Sequence, residues 1–378
     1  MLTSGVSISE PTSAEKYNKS EPTSAETKNK VAFRYVYFIV FGLLFAALWI
    51  RRADTEGRLP PWVSVVTITR GPGYAPFMRR RLVFDLADVI TRVVPKSVWQ
   101  SVDRGFYESS LGRRIVIAKP VCTWPRNEFP LLMTVSLLIG ASYCGFIYCC
   151  ACLFDMFYRG PAWFRDLSAV ALGYFALGSM SGDWFGTPYD IPQLFLFTSC
   201  CIAIFARSLW FFPLFVAASY SKETSILLIP IYWLCSSNRF SPVTLLKCFA
   251  LAVVFFPIHW YINKTFPGMF YDFVSYERNL RQLLFWAVYD SWSFVALLFT
   301  VVLCARDWHR FPKQLKYWML FVPILLCSAF YKGWIDERRA LLEFYPPFAF
   351  FLLQVITKAL GFESLMQTKP CDDGLDRV

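Results

Sequence analysis

Histidine is almost absent from this chain: only His259 and His309 occur in 378 residues, far apart and each alone. That scarcity excludes a histidine-based zinc site and a Ser-His-Asp triad. A glycine-rich phosphate loop is missing too, because Gly71-Pro72-Gly73 lacks the lysine and the following helix such a loop needs. Soluble nucleotide-driven chemistry is thereby excluded. Charged residues are only 17% of the chain, against roughly a quarter in an ordinary soluble domain. The twelve cysteines show neither zinc spacing nor a disulfide framework. Cys144, Cys149, Cys150, Cys200 and Cys201 sit inside apolar runs, where they read as small apolar residues.

What fills the chain instead is apolar: 56% hydrophobic and 19% aromatic residues, gathered in runs close to the roughly 20 residues that cross a bilayer core as helix. Backbone groups in lipid must satisfy one another, so each run is predicted to be α-helical. Short alternating segments, the mark of a membrane β-barrel, do not occur in Leu131–Phe154 or Phe285–Cys304. The fold class is therefore all-α, a polytopic integral membrane protein with about ten transmembrane helices. The predicted spans are 31–50, 131–154, 167–181, 191–206, 208–220, 224–236, 243–262, 284–304, 317–331 and 342–358. Those at 208–220 and 224–236 are too short to cross alone and read as a broken or re-entrant pair around Ser221-Lys222-Glu223-Thr224.

Residues 1–30 are polar and carry a near-duplicate, Ser9–Lys19 and Ser20–Lys30, which predicts a disordered tail. The run 31–50 reads as an uncleaved anchor that opens a single membrane domain, 31–358, and 359–378 as a cytoplasmic tail. The first loop, 51–130, is long and basic. Within it Arg81, Asp85, Asp88 and Arg92 share one helical stripe, with Leu82, Leu86, Val89, Ile90 and Val93 opposite. That pattern suits a helix in the membrane interface, or equally one packed on the protein's own surface. A second amphipathic stretch, Val98, Val102 and Phe106, follows Pro95. The short-loop Lys/Arg balance slightly favours a cytoplasmic N-terminus. The net charge of +11 is spread over loops and span ends, which suits membrane lipids as partners and not nucleic acid.

Few charges remain that could carry chemistry. Asp54 and Glu56 follow the first span and could act as a general base or help hold a divalent cation, or form a solvated charge cluster flanking the span; the residues name no cofactor. Asp183 and Asp190 bracket a turn-rich aromatic loop suited to a sugar, or to a polar turn in an aromatic belt. Lys222 and Glu223 lie between the two short helices, where an ionisable pair marks a site or satisfies itself. Asp336, Glu337, Arg338 and Arg339 precede the last span, and the arginines could grip a phosphate or anchor to headgroups. Asp290, inside its span, needs a partner or a water-lined cavity.

The layout resembles the GT-C class of membrane glycosyltransferases over most of 31–358: an acidic motif after span one, a long first outer loop with interfacial helices, and a charged outer loop before a late span. The resemblance implies an enzyme that transfers a sugar from a polyprenyl-phosphate carrier to an acceptor on the non-cytoplasmic face, more readily at the plasma (inner) membrane than in the endoplasmic reticulum. It further implies Asp54 as the catalytic carboxylate with Glu56 beside it, and Arg338 or Arg339 as the group holding the lipid phosphate. A local likeness to uncharacterised bacterial multi-pass proteins covers Tyr189–Phe195, SLWFFPLFVAASYSKETSILLIP (208–230) and DERRALLEFYP (336–346), and assigns no activity. A transporter or lipid flippase, and a nonenzymatic multi-pass protein, are the alternative readings.

Overall fold

The computed structural model describes residues 36–44, 65–70, 78–108, 128–179, 189–267, 276–288, 295, 299, 301–302, 305–332 and 338–369. Residues 1–37 and 38–378 form separate units, and the helical architecture is that of the second. Apart from one short strand pair, the regular structure described is helical. Three short helices lie in the first loop: α1 (Val65–Arg70), α2 (Leu82–Val93) and α3 (Lys96–Glu108). The bundle comes next, with α4 (Phe129–Phe157), α5 (Ala162–Ser179), α6 (Asp190–Phe205), α7 (Phe211–Ser221), α8 (Leu228–Cys235) and α9 (Pro242–Thr265). Helices α10 (Tyr276–Val288), α11 (Lys313–Met319), α12 (Val322–Lys332) and α13 (Tyr345–Ala359) complete it.

Helices α4 and α9 are long and apolar enough to cross a membrane. Helices α6 and α7, and the stretch Glu223–Cys235, are apolar but shorter. Helix α4 runs parallel to α6 at a sequence offset near 50: Cys149 Sγ meets Ser199 Oγ at 3.3 Å, and the Phe157 and Phe205 rings lie 5.4 Å apart. The two come close because Gly145 has no Cβ; one added there would collide with the Phe195 ring. Helix α5 connects them through a tight reversal at 158–161. Helix α6 ends at Arg207, whose φ of 53° sets up N–H bonds from Ser208 to Ala203 O and from Arg207 to Ile204 O, a Schellman-type stop without the usual glycine.

Helices α7 and α8 form the expected broken pair, now visible as a hairpin. Phe211 stacks on Tyr232 at its base, 5.2 Å between centroids with the ring planes nearly parallel. At its tip Lys222 is extended (φ −159°, ψ 146°) before a 3-10 turn, Glu223–Leu227. The tip reaches the head of α6, where Gln193 Nε2 donates to Ser225 Oγ at 3.2 Å. Helix α9 starts cleanly because Ser241 Oγ accepts from Thr244 N–H at 3.1 Å and Pro242 occupies the first turn. Only a minority of α9 is buried; Leu246, Phe249, Val253, Phe256 and Trp260 stand exposed along it.

The two ends of the bundle differ. One, the Asp190 end, gathers the starts of α4 and α6, the hairpin tip, the end of α9 and helices α1–α3. At the other, the Tyr158 end, the chain beyond 359, expected as a tail, folds back onto the bundle through Lys369. Gly361 (φ 76°) allows Phe362 N–H to reach Thr357 O at 2.7 Å, which turns the chain round. Strand β1 (Tyr158–Arg159) then pairs antiparallel with β2 (Gln367–Thr368), and Lys369 N–H donates to Phe157 O at 2.8 Å. Nearby, Asp307 is buried and pairs with Lys358 and, at 2.6 Å, with Arg306. Burial works against its charge, but the hydrogen bonds and charges of Lys358 and Arg306 outweigh it, holding the Asp307 carboxyl below its usual range.

This end can be tested in two ways. A Cβ on Gly160 would press into the Leu365 carbonyl, whose carbon would lie 3.1 Å away. Gly160→Val is therefore expected to release the returning strand, read as new protease cleavage near 360–369 while the remaining bundle stays resistant. Because the folded pKa of Asp307 is depressed, its pairing stabilises the protein above about pH 4, the ordinary aspartate range, and that contribution disappears as pH falls through the lower folded value. Thermal unfolding followed across acid pH should show this loss in the wild type and a weaker one in Asp307→Asn; equal slopes would mean that Asp307 contributes nothing to acid sensitivity.

Candidate functional site

A cluster of ion pairs and hydrogen bonds gathers at the Asp190 end. Their arrangement begins with the extended residue at the hairpin tip. An extended residue sends consecutive side chains to opposite sides, so Lys222 points into the bundle while its neighbour Glu223 points away. Lys222 Nζ meets Glu343 Oε1 at 2.7 Å, with both side chains almost wholly buried. Thr224 Oγ1 donates to the same carboxylate oxygen at 2.6 Å. Glu343 belongs to a 3-10 turn, Arg338–Phe344, that leads into α13, and its backbone carbonyl accepts from Trp318 Nε1 at 3.1 Å. One glutamate thus ties together the hairpin, α11 and the start of α13. Its second carboxylate oxygen, Oε2, is buried without a hydrogen-bond partner among the described residues.

Glu223 faces a different cation. Arg80, two residues before α2, brings Nη2 to 3.0 Å from Glu223 Oε1 and Nη1 to 2.7 Å from Tyr189 Oη. Its guanidinium also lies 4.6 Å from the Tyr189 ring centroid. Burial opposes the Arg80 charge, but Glu223 and Tyr189 beside it more than compensate and raise its pKa, so it stays a cation. Glu223 itself is half exposed, an accessible carboxylate among the described residues of the cluster. Next to it Arg81 is buried: Nη1 reaches Ile68 O at 2.7 Å, Nε reaches Asp85 at 3.0 Å, and the guanidinium lies 4.1 Å from the Phe266 ring centroid. Tyr220 donates to the other Asp85 oxygen at 2.5 Å.

Helix α2 forms the rim, and its circumference divides in three. Val83, Phe84 and Ala87 are buried against the bundle; Leu86, Val89 and Val93 are exposed; the third arc carries the Arg81–Asp85 and Arg92–Asp88 ion pairs. The apolar side drawn from periodicity, Leu82, Leu86, Val89, Ile90 and Val93, is therefore not the one that packs: Val83, Phe84 and Ala87 make the protein contact, while Leu86, Val89 and Val93 stay exposed.

The residues singled out by sequence fare unequally. Asp190 is buried, at the first turn of α6, within electrostatic range of Arg80. Lys222 and Glu223 belong to the cluster, each with a distant partner and not with one another. Asp54, Glu56, Asp183, Asp290, Asp336 and Glu337 lie outside the described residues, and of Arg338 and Arg339 only the backbone is described. Arg80, Tyr189, Thr224 and Glu343 were not chosen from sequence as site residues. Glu343 could have been, as a carboxylate at the edge of the apolar run 342–358, and so could the Arg79-Arg80-Arg81 triplet ahead of α2. Among the described residues, no three His, Cys, Asp or Glu side chains converge to hold a metal ion.

A buried ion pair is hard to break from one side, because the remaining charge is stranded, at a cost of about 3–5 kcal/mol. Lys222→Met and Glu343→Gln should each destabilise by that order, while Lys222→Met/Glu343→Leu recovers most of the loss. Small, additive losses in a denaturation cycle would show that the two side chains are not coupled. Comparison with known protein families, curated proteins and solved structures finds no match to this chain.

Proposed function

We propose that this chain is a multi-pass membrane enzyme of the glycosyltransferase kind, acting at its Asp190 end on a sugar carried by a polyprenyl phosphate. The observation that carries the reading is the gathering of Arg80, Tyr189, Glu223 and Asp190, with the Lys222–Glu343 pair behind them, at one end of an apolar bundle beneath the amphipathic α2. The multi-pass assignment draws support from α9, whose exposed aromatic and aliphatic side chains would be costly in water and suit lipid. The shorter apolar helices lie beside the two of membrane length, and the α7–α8 hairpin starts at the Tyr158 end and reaches the head of α6 with its tip. On this reading the Asp190 end faces away from the cytoplasm.

In such a reaction the acceptor hydroxyl attacks the anomeric carbon, its proton passes to a carboxylate, and the bond from that carbon to the carrier phosphate oxygen breaks. Asp54, Glu56, Asp183 and Asp190 are the proposed carboxylates, and Glu223 is added by its exposure. Arg80, Arg338 and Arg339 would stabilise charge on the departing phosphate. Lys222, held by Glu343, is better suited to fixing the hairpin than to touching the lipid.

The test is transfer of labelled sugar from a polyprenyl-phosphate donor in membrane vesicles containing the full chain. Asp54→Asn, Glu223→Gln and Arg80→Ala should each reduce transfer, the carboxylate changes by about a hundredfold or more, with the protein still folded by thermal shift. Unchanged transfer in all three would end the enzyme reading. A flippase is favoured by one observation, the helix break at Lys222 beside a buried ion pair; movement of the intact lipid across the vesicle without transfer would select it.

A further inference from the structure

The opposite end of the bundle contains a cavity of about 430 Å³, lined by Asp307, Arg310, Gln354, Lys358, Thr368 and neighbouring residues of the returning chain. It is a size that suits a small ligand or a lipid headgroup. None of the described sequence candidates lies here, and the transfer reaction leaves it unused. We propose that this cavity is a binding site for a phosphate monoester, held by Arg310 and Lys358 and closed on one side by the returning segment that ends in β2.

Three features carry the assignment. First, Arg310 has donors to spare. Its Nε meets His309 Nε2 at 3.3 Å, but neither Nη nitrogen makes a hydrogen bond among the described residues; Nη1 stands 3.7 Å from Glu363 Oε1, with both side chains about half exposed. So loose a surface pair contributes little, and a dianionic phosphate that accepts two parallel N–H bonds from one guanidinium displaces it readily. Second, Lys358 directs its ammonium to Asp307 and retains further N–H donors for a ligand. Asp307 does not repel an anion here, because Arg306 and Lys358 both neutralise it. Third, further cations stand close along the chain: Arg306, Lys313 and Lys316 lie within six residues of Arg310, and Lys316 Nζ donates to the His309 carbonyl at 3.1 Å, while the lining itself carries the carboxylates of Asp307 and Glu363. Basic pockets between helices at a cytoplasmic surface favour anionic headgroups.

The phosphate could belong to a lipid such as phosphatidic acid or to a soluble ion, and the experiment separates these sources. Full-length protein is placed in nanodiscs of phosphatidylcholine alone, with phosphatidic acid, or with phosphatidylglycerol, a phosphodiester of single charge; inorganic phosphate is titrated in a fourth arm. The readouts are the unfolding temperature and protease cleavage near 360–369. A saturable upward shift with protection by phosphatidic acid, but not phosphatidylglycerol, establishes a lipid monoester; the same response to inorganic phosphate establishes a soluble ligand. Arg310→Gln, at a half-exposed position compatible with folding, should weaken the response about ten- to a hundredfold, the worth of a charge-assisted hydrogen bond, and Arg310→Lys should restore part of it. No response in any arm, an equal response to phosphatidylglycerol, or a response unchanged in Arg310→Gln would overturn the proposal. None of these outcomes bears on sugar transfer at the other end.

Discussion

A lysine and a glutamate, 121 positions apart, meet where almost no water reaches them. Neither charge could stay at that depth alone, so the segments that carry them must come together before either is tolerable. The hairpin α7–α8 has modest length, and its helices are too short to define their own position. What anchors its tip is the bond from Lys222 to Glu343, reinforced by Thr224 and by the contact of Ser225 with Gln193. The same glutamate fixes the turn into α13 through Trp318. Remove the pair, and the hairpin tip, the start of α13 and the head of α6 lose their common fastening.

From that fastening the outer cluster is built. With Lys222 committed inward, the extended backbone sends Glu223 toward Arg80, and Arg80 toward Tyr189, the residue that precedes α6. The amphipathic α2 is thereby held at the rim by both apolar packing and charge. The cluster thus has a buried ion pair beneath and a half-exposed carboxylate above. The Tyr158 end is built by other means: a returning strand, a glycine that turns the chain and a buried aspartate between two cations. The two ends share helices but not side chains, so chemistry at one can be altered without dismantling the other.

Much of the helical framework was legible in the sequence because apolar runs of helical length leave the backbone little alternative. The run 131–154 lies within α4, 191–206 matches α6 and 243–262 lies within α9, and the helix break expected near Ser221–Thr224 falls at Lys222. The site was only partly legible. Lys222, Glu223 and Asp190 stood out as charges in apolar surroundings, yet their partners did not, since pairing across more than a hundred residues leaves no local spacing to read. Arg81 was taken for a surface charge on an amphipathic stripe and is instead buried, because Phe266, Asp85 and the Ile68 carbonyl together supply what water would have. The returning segment after 359 was missed for a similar reason: its two-residue strand has partners only at Tyr158 and Arg159.

The fastening at the hairpin tip is tested most directly by a solid-state NMR distance between the side-chain nitrogen of Lys222 and the carboxyl carbon of Glu343, with the full chain in lipid bilayers and the two sites isotopically labelled. A direct ion pair predicts strong dipolar coupling, with the lysine signal that of a charged ammonium. Absence of coupling, with Lys222 solvent-exchangeable, would mean that the hairpin tip is not fastened by Glu343 and that the cluster above it is not built on that pair.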